Sequence, residues 1–368
     1  MSTSSSQRLL SIDALRGFDM LLISGAGTFL VLLEGKTGFS SIDWIALQMT
    51  HPAWDGFSFY DFIFPLFLFI AGVSLPFSLN KGLEKQLTKS ELYKKAGIRM
   101  LILIGIGMLY KNAPIPFFEP SQIRFGSVLG RIGFAGFITT ILYLNFSVKQ
   151  RLLWVAGILL FYYAALFLVP VPGYGAGDLS FEGNLVGWFD RTFMPGRLLQ
   201  KTYDELAILT QFPALCLTVL GAFAGDILRR KQTESKKLQH LILIGMISIL
   251  IGLLWSFHFP INKHLWTSSF ILLTAGMGFL FLALFYAIID VWGYQKWAFF
   301  FKVIGMNSLL IYLAYRFINF RETSRLLFEG LYSPLAEQWH EVLEAFGAMM
   351  LVWLFLYVMY RNKIFVRI

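Results

Sequence analysis

Apolar residues run along this chain in blocks of roughly twenty, the length at which a helix crosses bilayer hydrocarbon with every backbone amide satisfied inside its own segment. The blocks predict helices at Leu15–Leu33, Phe62–Leu79, Ile98–Tyr110, Val128–Phe146, Leu152–Val169, Leu206–Leu228, Leu238–Phe257, Trp266–Ile289, Ala298–Phe317 and Val342–Tyr360. The third is the shortest. The longest connections, Pro170 to Glu205 and Ile318 to Glu341, leave no room for a soluble domain. The pattern predicts an all-α, polytopic integral membrane helical bundle of about ten transmembrane helices. It reads as a single transmembrane domain over residues 1–368. Ahead of the first block, Met1–Gln7 is polar and serine-rich, a composition that frays. Asp13, Arg16 and Asp19 interrupt the start of that block, which predicts a retained helix rather than a cleaved leader.

Composition agrees with the pattern, since 57% of residues are hydrophobic and 14% charged. The placement of the basic residues adds orientation, because cytoplasmic loops retain Lys and Arg. Arg8 and Arg16 precede the first helix, and Lys81, Lys85, Lys89, Lys94, Lys95 and Arg99 separate the second from the third. Lys149 and Arg151, Arg229 to Lys231 with Lys236 and Lys237, Lys296 and Lys302, and Arg361, Lys363 and Arg367 continue the series on the same side. Both termini are therefore expected in the cytoplasm, and His51 at the outer boundary. That topology accounts for most of the net charge of +9, and no basic stripe interleaved with aromatics marks a nucleic-acid surface. The single Cys216 excludes disulfides within the chain and cysteine metal sites. No tandem repeat is visible.

Four constellations carry candidate chemistry. His51 and Asp61 flank an aromatic segment containing Trp54 and lead into the second apolar block. Ionisable groups beside lipid are costly and persist where they bind or react. A neutral imidazole accepts a proton near pH 7, and a carboxylate on its other nitrogen fixes tautomer and orientation. An ordinary outer-loop histidine in an interfacial aromatic belt is the alternative. Asp13 and Arg16 stand three apart, either as a membrane anchor with a salt bridge or as part of an anion site. Arg124 precedes the fourth helix and Arg131 lies inside it. Arg131 must face protein or water, as the partner of Asp61 or another carboxylate or as a ligand for a bound anion. Asn262 and Lys263 precede the eighth helix, where Thr or Ser caps and an interfacial Trp266 explain much of the local sequence. Asn307 brings a further polar group into an apolar helix. Walker A, Rossmann, HExxH and GxSxG signatures are missing, and the glycines from Gly173 to Gly177 read as a loop.

Taken together, Ser11–Phe18, His51–Ser74, Arg124–Gly133, Pro260–Gly276 and Gly305–Leu313 resemble the transmembrane acyltransferases related to heparan-alpha-glucosaminide N-acetyltransferase and their bacterial relatives. The resemblance covers nearly the whole chain. It implies transfer of an acetyl group from cytoplasmic acetyl-CoA, a co-substrate, to an amino sugar across the membrane, with no metal. On this reading His51 matches the family's essential histidine, and Asp61 matches the acid of its D-x-x-F-P motif, here Asp61-Phe62-Ile63-Phe64-Pro65. Ser24 stands nearest the asparagine that animal members carry late in the first helix.

The implied scheme places acetyl-CoA phosphates near cytoplasmic cations such as Arg16, with His51 as general base or acetyl carrier and Asp61 orienting it. Asn262 and Ser24 are candidates for the oxyanion donor. The bilayer is the expected surroundings, a bacterial inner membrane the expected location, and homodimerisation is open. Two other classes stay open at this point. One is a proton-coupled secondary transporter of a sugar or anion using His51, Asp61 and Arg131, and the other is a membrane scaffold.

Overall fold

The computed structural model describes residues 9–366. The serine-rich start, Arg8 and Arg367 lie outside the described residues. Helices account for the architecture, and among the described residues there is no strand beyond isolated bridges. In chain order they are α1 Leu10–Leu21, α2 Gly27–Leu32, α3 Ser40–Gln48, α4 Phe59–Glu84, α5 Lys89–Asn112, α6 Val128–Asn145, α7 Val148–Leu168 and α8 Leu185–Phe193. There follow α9 Gln211–Arg229, α10 Glu234–Ser256, α11 Ser268–Tyr286, α12 Ala298–Gly305, α13 Ser308–Phe317, α14 Phe320–Tyr332 and α15 His340–Arg361.

Eight of the described helical stretches are long and apolar enough to cross a membrane, and the bent pair α12–α13 brings the number to as many as nine. Each of the ten apolar blocks has a helix. The exception to spanning length is α5, whose first turns carry Lys89, Glu91, Lys94, Lys95 and Arg99. Its apolar part, Ile98 to Tyr110, rises only about 20 Å at 1.5 Å per residue, short of the hydrocarbon thickness.

Two predicted helices are broken. Between α1 and α2 the ladder widens into a π-type turn at Leu22–Ala26, where Ser24 leaves helical geometry and Gly25 takes φ +129°, a conformation that favours glycine. Between α12 and α13 the axis bends by 67° at Met306 and Asn307. Three further helices, α3, α8 and α14, occupy stretches read as connections. They are too short for a spanning pattern, and α3 and α14 expose Trp44, Leu47, Leu326 and Leu331.

The chain divides into two compact units. One comprises the chain up to Pro52, Phe57–Phe67 and the part from Phe281 onward; the other comprises Ala53–Gly56 and Leu68–Leu280. In the first, α1 crosses α12 at glycines. A Cβ on Gly17 would lie 1.8 Å from the Phe301 carbonyl oxygen, and one on Gly305 would lie 2.0 Å from that of Asp13. Small residues are what permit such an approach. Gly17→Leu is therefore expected to destabilise the protein by about 1–3 kcal/mol through overpacking. Thermal unfolding in detergent checks this, and an unchanged midpoint would show that the crossing is loose.

In the second unit α4 and α9 meet in the same way, with Gly72 against Thr218, Gly221 against Phe69 and Gly225 against Val73. Helix α10 is the least buried of the candidate spans among the described residues, only 17% of its apolar window being buried. The C-terminal ends of α4, α6 and α9 and the N-terminal end of α7 converge through Asn80, Tyr143, Asp226 and Arg151.

Candidate active site

His51 lies in the non-helical segment between α3 and α4, where Pro52 and Gly56, at φ +125°, keep the chain out of a helix. The start of α4 then fixes Asp61. Its Oδ2 accepts hydrogen bonds from the Ser58 backbone N (3.0 Å) and Oγ (3.2 Å), so the carboxylate reaches back to satisfy the N–H just ahead of the helix. The other oxygen, Oδ1, lies 2.6 Å from His51 Nδ1. Asp61 is buried at 1% exposure while the His51 side chain is 44% exposed, so a rigid interior carboxylate holds a ring that faces outward. With Nδ1–H donated to Asp61, the basic nitrogen of the imidazole is Nε2. The Tyr60 ring packs 5.1 Å from the imidazole and limits its rotation.

The same unit holds other polar groups singled out in the sequence. Arg16 and Asp13 form an i,i+3 pair at 3.7 Å. Ser24 is buried at the helix break; its hydroxyl points to the Leu21 carbonyl, and its own carbonyl accepts from the Tyr315 hydroxyl. Asn307 sits at the second break and ties it to the C-terminal segment, donating to Ile364 O and accepting from Val366 N. Asp19, one turn before the first break, is fully buried, and neither carboxylate oxygen has a hydrogen-bond donor among the described residues. The sequence marked it only as an interruption of apolar residues.

In the second unit Trp54 stacks on His264, with ring centres 5.3 Å apart and planes 6° apart. Its indole donates to Leu179 O, and the Tyr203 hydroxyl lies 2.7 Å from His264 Nδ1. Asn262 donates to Asp55 at 3.0 Å and accepts from Leu265 N at 2.8 Å, binding the Trp54 segment to the loop before α11. Lys263 is half-buried in that loop.

Trp266 corrects the expectation of an interfacial anchor: it is completely buried, with φ +51°, and its ring lies 4.4 Å from the Arg131 guanidinium. A buried cation draws an aromatic face inward. Arg131 also donates to Glu205 O (2.6 Å), Thr210 Oγ (2.5 Å) and Gln211 Oε1 (3.2 Å). Arg124 forms a two-pronged ion pair with Asp204, at 2.6 and 2.8 Å.

Asp190 completes this buried polar group, accepting from the Asp204 backbone N through Oδ2. Loss of hydration pushes its pKa up to about 7, and the neighbouring Asp204 carboxylate adds to the rise. An unfolded aspartate titrates near 3.9. The folded state therefore binds the extra proton, and its stabilising contribution is lost as pH rises from about 4 to about 7. Asp190→Asn is expected to flatten that part of the stability curve, a difference of at most about 4 kcal/mol above pH 7. Unfolding across this pH range checks it; parallel curves for both proteins would contradict the assignment.

The catalytic-region family model of heparan-alpha-glucosaminide N-acetyltransferase matches residues 8–260. The chain belongs to this family. It is 26% identical to the heparan-alpha-glucosaminide N-acetyltransferase of Mus musculus, in an alignment covering 99% of the chain and 61% of that relative. Identity to the Homo sapiens protein of the same name is also 26%, over 98% of the chain and 60% of the relative. The chain thus spans about three fifths of the length of these curated relatives. The family match includes His51, Asp61, Arg124 and Arg131, whereas Asn262, Lys263, His264 and Asn307 lie beyond it.

Together with the apolar helices, membership makes this an integral membrane protein of an acetyltransferase family. Among the described residues no cluster of His, Cys, Asp and Glu has the arrangement of a metal site. His264, Tyr203, Asp190 and Asp204 went unnoticed in the sequence because their partners are distant along it. The one available signal was a second histidine beside Asn262 and Lys263.

Proposed function

We propose that this chain is a membrane-embedded acetyltransferase that moves the acetyl group of acetyl-CoA to the amine of a glucosamine-type sugar or glycan fragment. The observation that carries the reading is the 2.6 Å pair of His51 with a buried, doubly anchored Asp61. His51 Nε2 removes a proton from the acceptor nitrogen as it attacks the thioester carbonyl. The tetrahedral adduct collapses with cleavage of the carbon–sulfur bond, and the CoA thiolate leaves to take up a proton. Asp61 stabilises the imidazolium formed in between. A variant of this route passes the acetyl group through His51 itself, and parallel double-reciprocal plots, in place of intersecting ones, mark it.

Helix α4 supports opposite entry of the two substrates. It has 26 residues, about 39 Å of rise, with the His51–Asp61 pair at its start and Lys81 and Lys85 at and beyond its end. On the positive-inside rule the basic end is cytoplasmic, where acetyl-CoA is found, and His51 faces the acceptor on the outer side. The proposed location is a bacterial cytoplasmic membrane, with both units acting as one transmembrane acyltransferase domain, alone or as a homodimer.

The test is acetyl-CoA carrying a carbon-13 acetyl group, given with glucosamine to the purified protein in nanodiscs. The expected product is an N-acetyl amide carrying the label. Label found only as free acetate, for every amino sugar offered, would overturn the reading.

A further inference from the structure

Away from the His51 pair, the convergence of α4, α6, α7 and α9 encloses a guanidinium whose hydrogen bonding is incomplete. Arg151, in the first turn of α7, is 6% exposed. Its Nη2 donates to Asp226 Oδ2 at 2.8 Å, and its guanidinium carbon lies 4.4 Å from the centre of the Tyr143 ring. Nε and Nη1 have no hydrogen-bond acceptor among the described residues. Asp226 is already engaged twice, since its Oδ1 accepts from the Tyr143 hydroxyl at 2.8 Å, and that hydroxyl in turn accepts from Asn80. Arg229 lies on α9 three residues beyond Asp226, and Lys149 lies two residues before Arg151; both are exposed. One carboxylate therefore serves the buried Arg151, with a second cation, Arg229, close enough to act on the Tyr143 hydroxyl that Asp226 holds, at the end of the spans where basic residues concentrate.

A buried cation with idle donors is costly, and an anion that accepts from them removes the cost. The geometry points to Arg151 as the anchor of a phosphate-binding site, with Arg229 at its rim. Phosphate fits because its oxygens accept several charge-assisted bonds at once, the chemistry for which arginine is best suited. At a membrane end such a phosphate belongs either to the nucleotide part of CoA or to an anionic phospholipid. The first source rests on the acetyl-CoA reading above; the second does not.

The experiment uses the full chain, purified and folded, as wild type, Arg151→Gln and Arg151→Lys. One arm titrates adenosine 3′,5′-bisphosphate by calorimetry. The other compares melting in nanodiscs of phosphatidylglycerol with nanodiscs of phosphatidylcholine. Arg151→Gln is expected to weaken one of the two phosphate ligands by about 10- to 100-fold, or to abolish the phosphatidylglycerol-dependent rise in melting temperature, with Arg151→Lys intermediate. Loss in the bisphosphate arm assigns the site to the acyl donor, and loss in the lipid arm assigns it to a headgroup. Unchanged behaviour in both overturns the proposal.

Hydrogen exchange on the wild-type protein gives a second reading should the glutamine variant fail to fold. Either phosphate ligand is expected to slow exchange at residues 148–152 and 226–230, and no slowing by either overturns the proposal as well. Binding is measured without acyl transfer. A phosphate site on a protein that releases no CoA would leave this inference standing and the acetyltransferase reading fallen.

Discussion

Asp61→Asn is expected to lower acetyl transfer by about 10²- to 10⁴-fold while leaving the fold intact. The amide oxygen of asparagine can keep the bonds from Ser58 N and Oγ that begin α4. Its NH2 group then faces His51 Nδ1, where the carboxylate oxygen stood at 2.6 Å. A donor at that position forces Nδ1 to accept and moves the ring proton to Nε2, which can no longer take a proton from the acceptor. Loss of the negative charge also removes the partner of the imidazolium. The check is kcat/KM for acetyl-CoA and glucosamine beside the melting temperature. A near-normal rate would mean that Asp61 only begins the helix.

The largest effect on stability is expected at Arg131. Arg131→Met removes a buried cation that donates to Glu205 O, Thr210 and Gln211 and lies against Trp266, near Asp190 and the Arg124–Asp204 pair. Methionine fills part of the volume but leaves the Glu205 carbonyl without this donor and removes one of the two buried positive charges near Asp190 and Asp204, Arg124 remaining on Asp204. Breaking buried ionic arrangements of this kind costs about 3–5 kcal/mol. Arg131→Lys is expected to recover part of it, because an ammonium keeps the charge and loses the planar fork. Detergent unfolding of the three proteins checks this, and a loss below about 0.5 kcal/mol for Arg131→Met, the scale of an ordinary surface change, would contradict it.

What the sequence made legible follows from which forces are local. Apolar blocks report the hydrocarbon thickness directly, so each of the ten acquired a helix. The His51–Asp61 pair was also readable, since ten residues of chain join a loop to the first turn of the helix it enters. Asp13 with Arg16 needed only helical periodicity.

The breaks at Ser24–Gly25 and Met306–Asn307 were hidden because hydropathy does not register backbone geometry. Only Gly25 and the polar Asn307 hinted at them. The helices α3, α8 and α14 escaped because a spanning-length window averages a short amphipathic turn into its surroundings. Trp266 was misplaced at the interface because its partner, Arg131, lies on another helix. The Asp190, Asp204 and Arg124 group likewise depends on contacts across long stretches of chain.

The central claim is acetyl transfer through His51, and the most direct measurement is CoA release by purified protein given acetyl-CoA and a panel of amino sugars, wild type beside His51→Ala. The ring is 44% exposed, so its removal should leave the melting temperature close to that of wild type. The account predicts acceptor-dependent CoA release by the wild type and its loss, by at least about 10²-fold, in the variant. Equal release by both proteins would remove His51 from the mechanism and contradict the account.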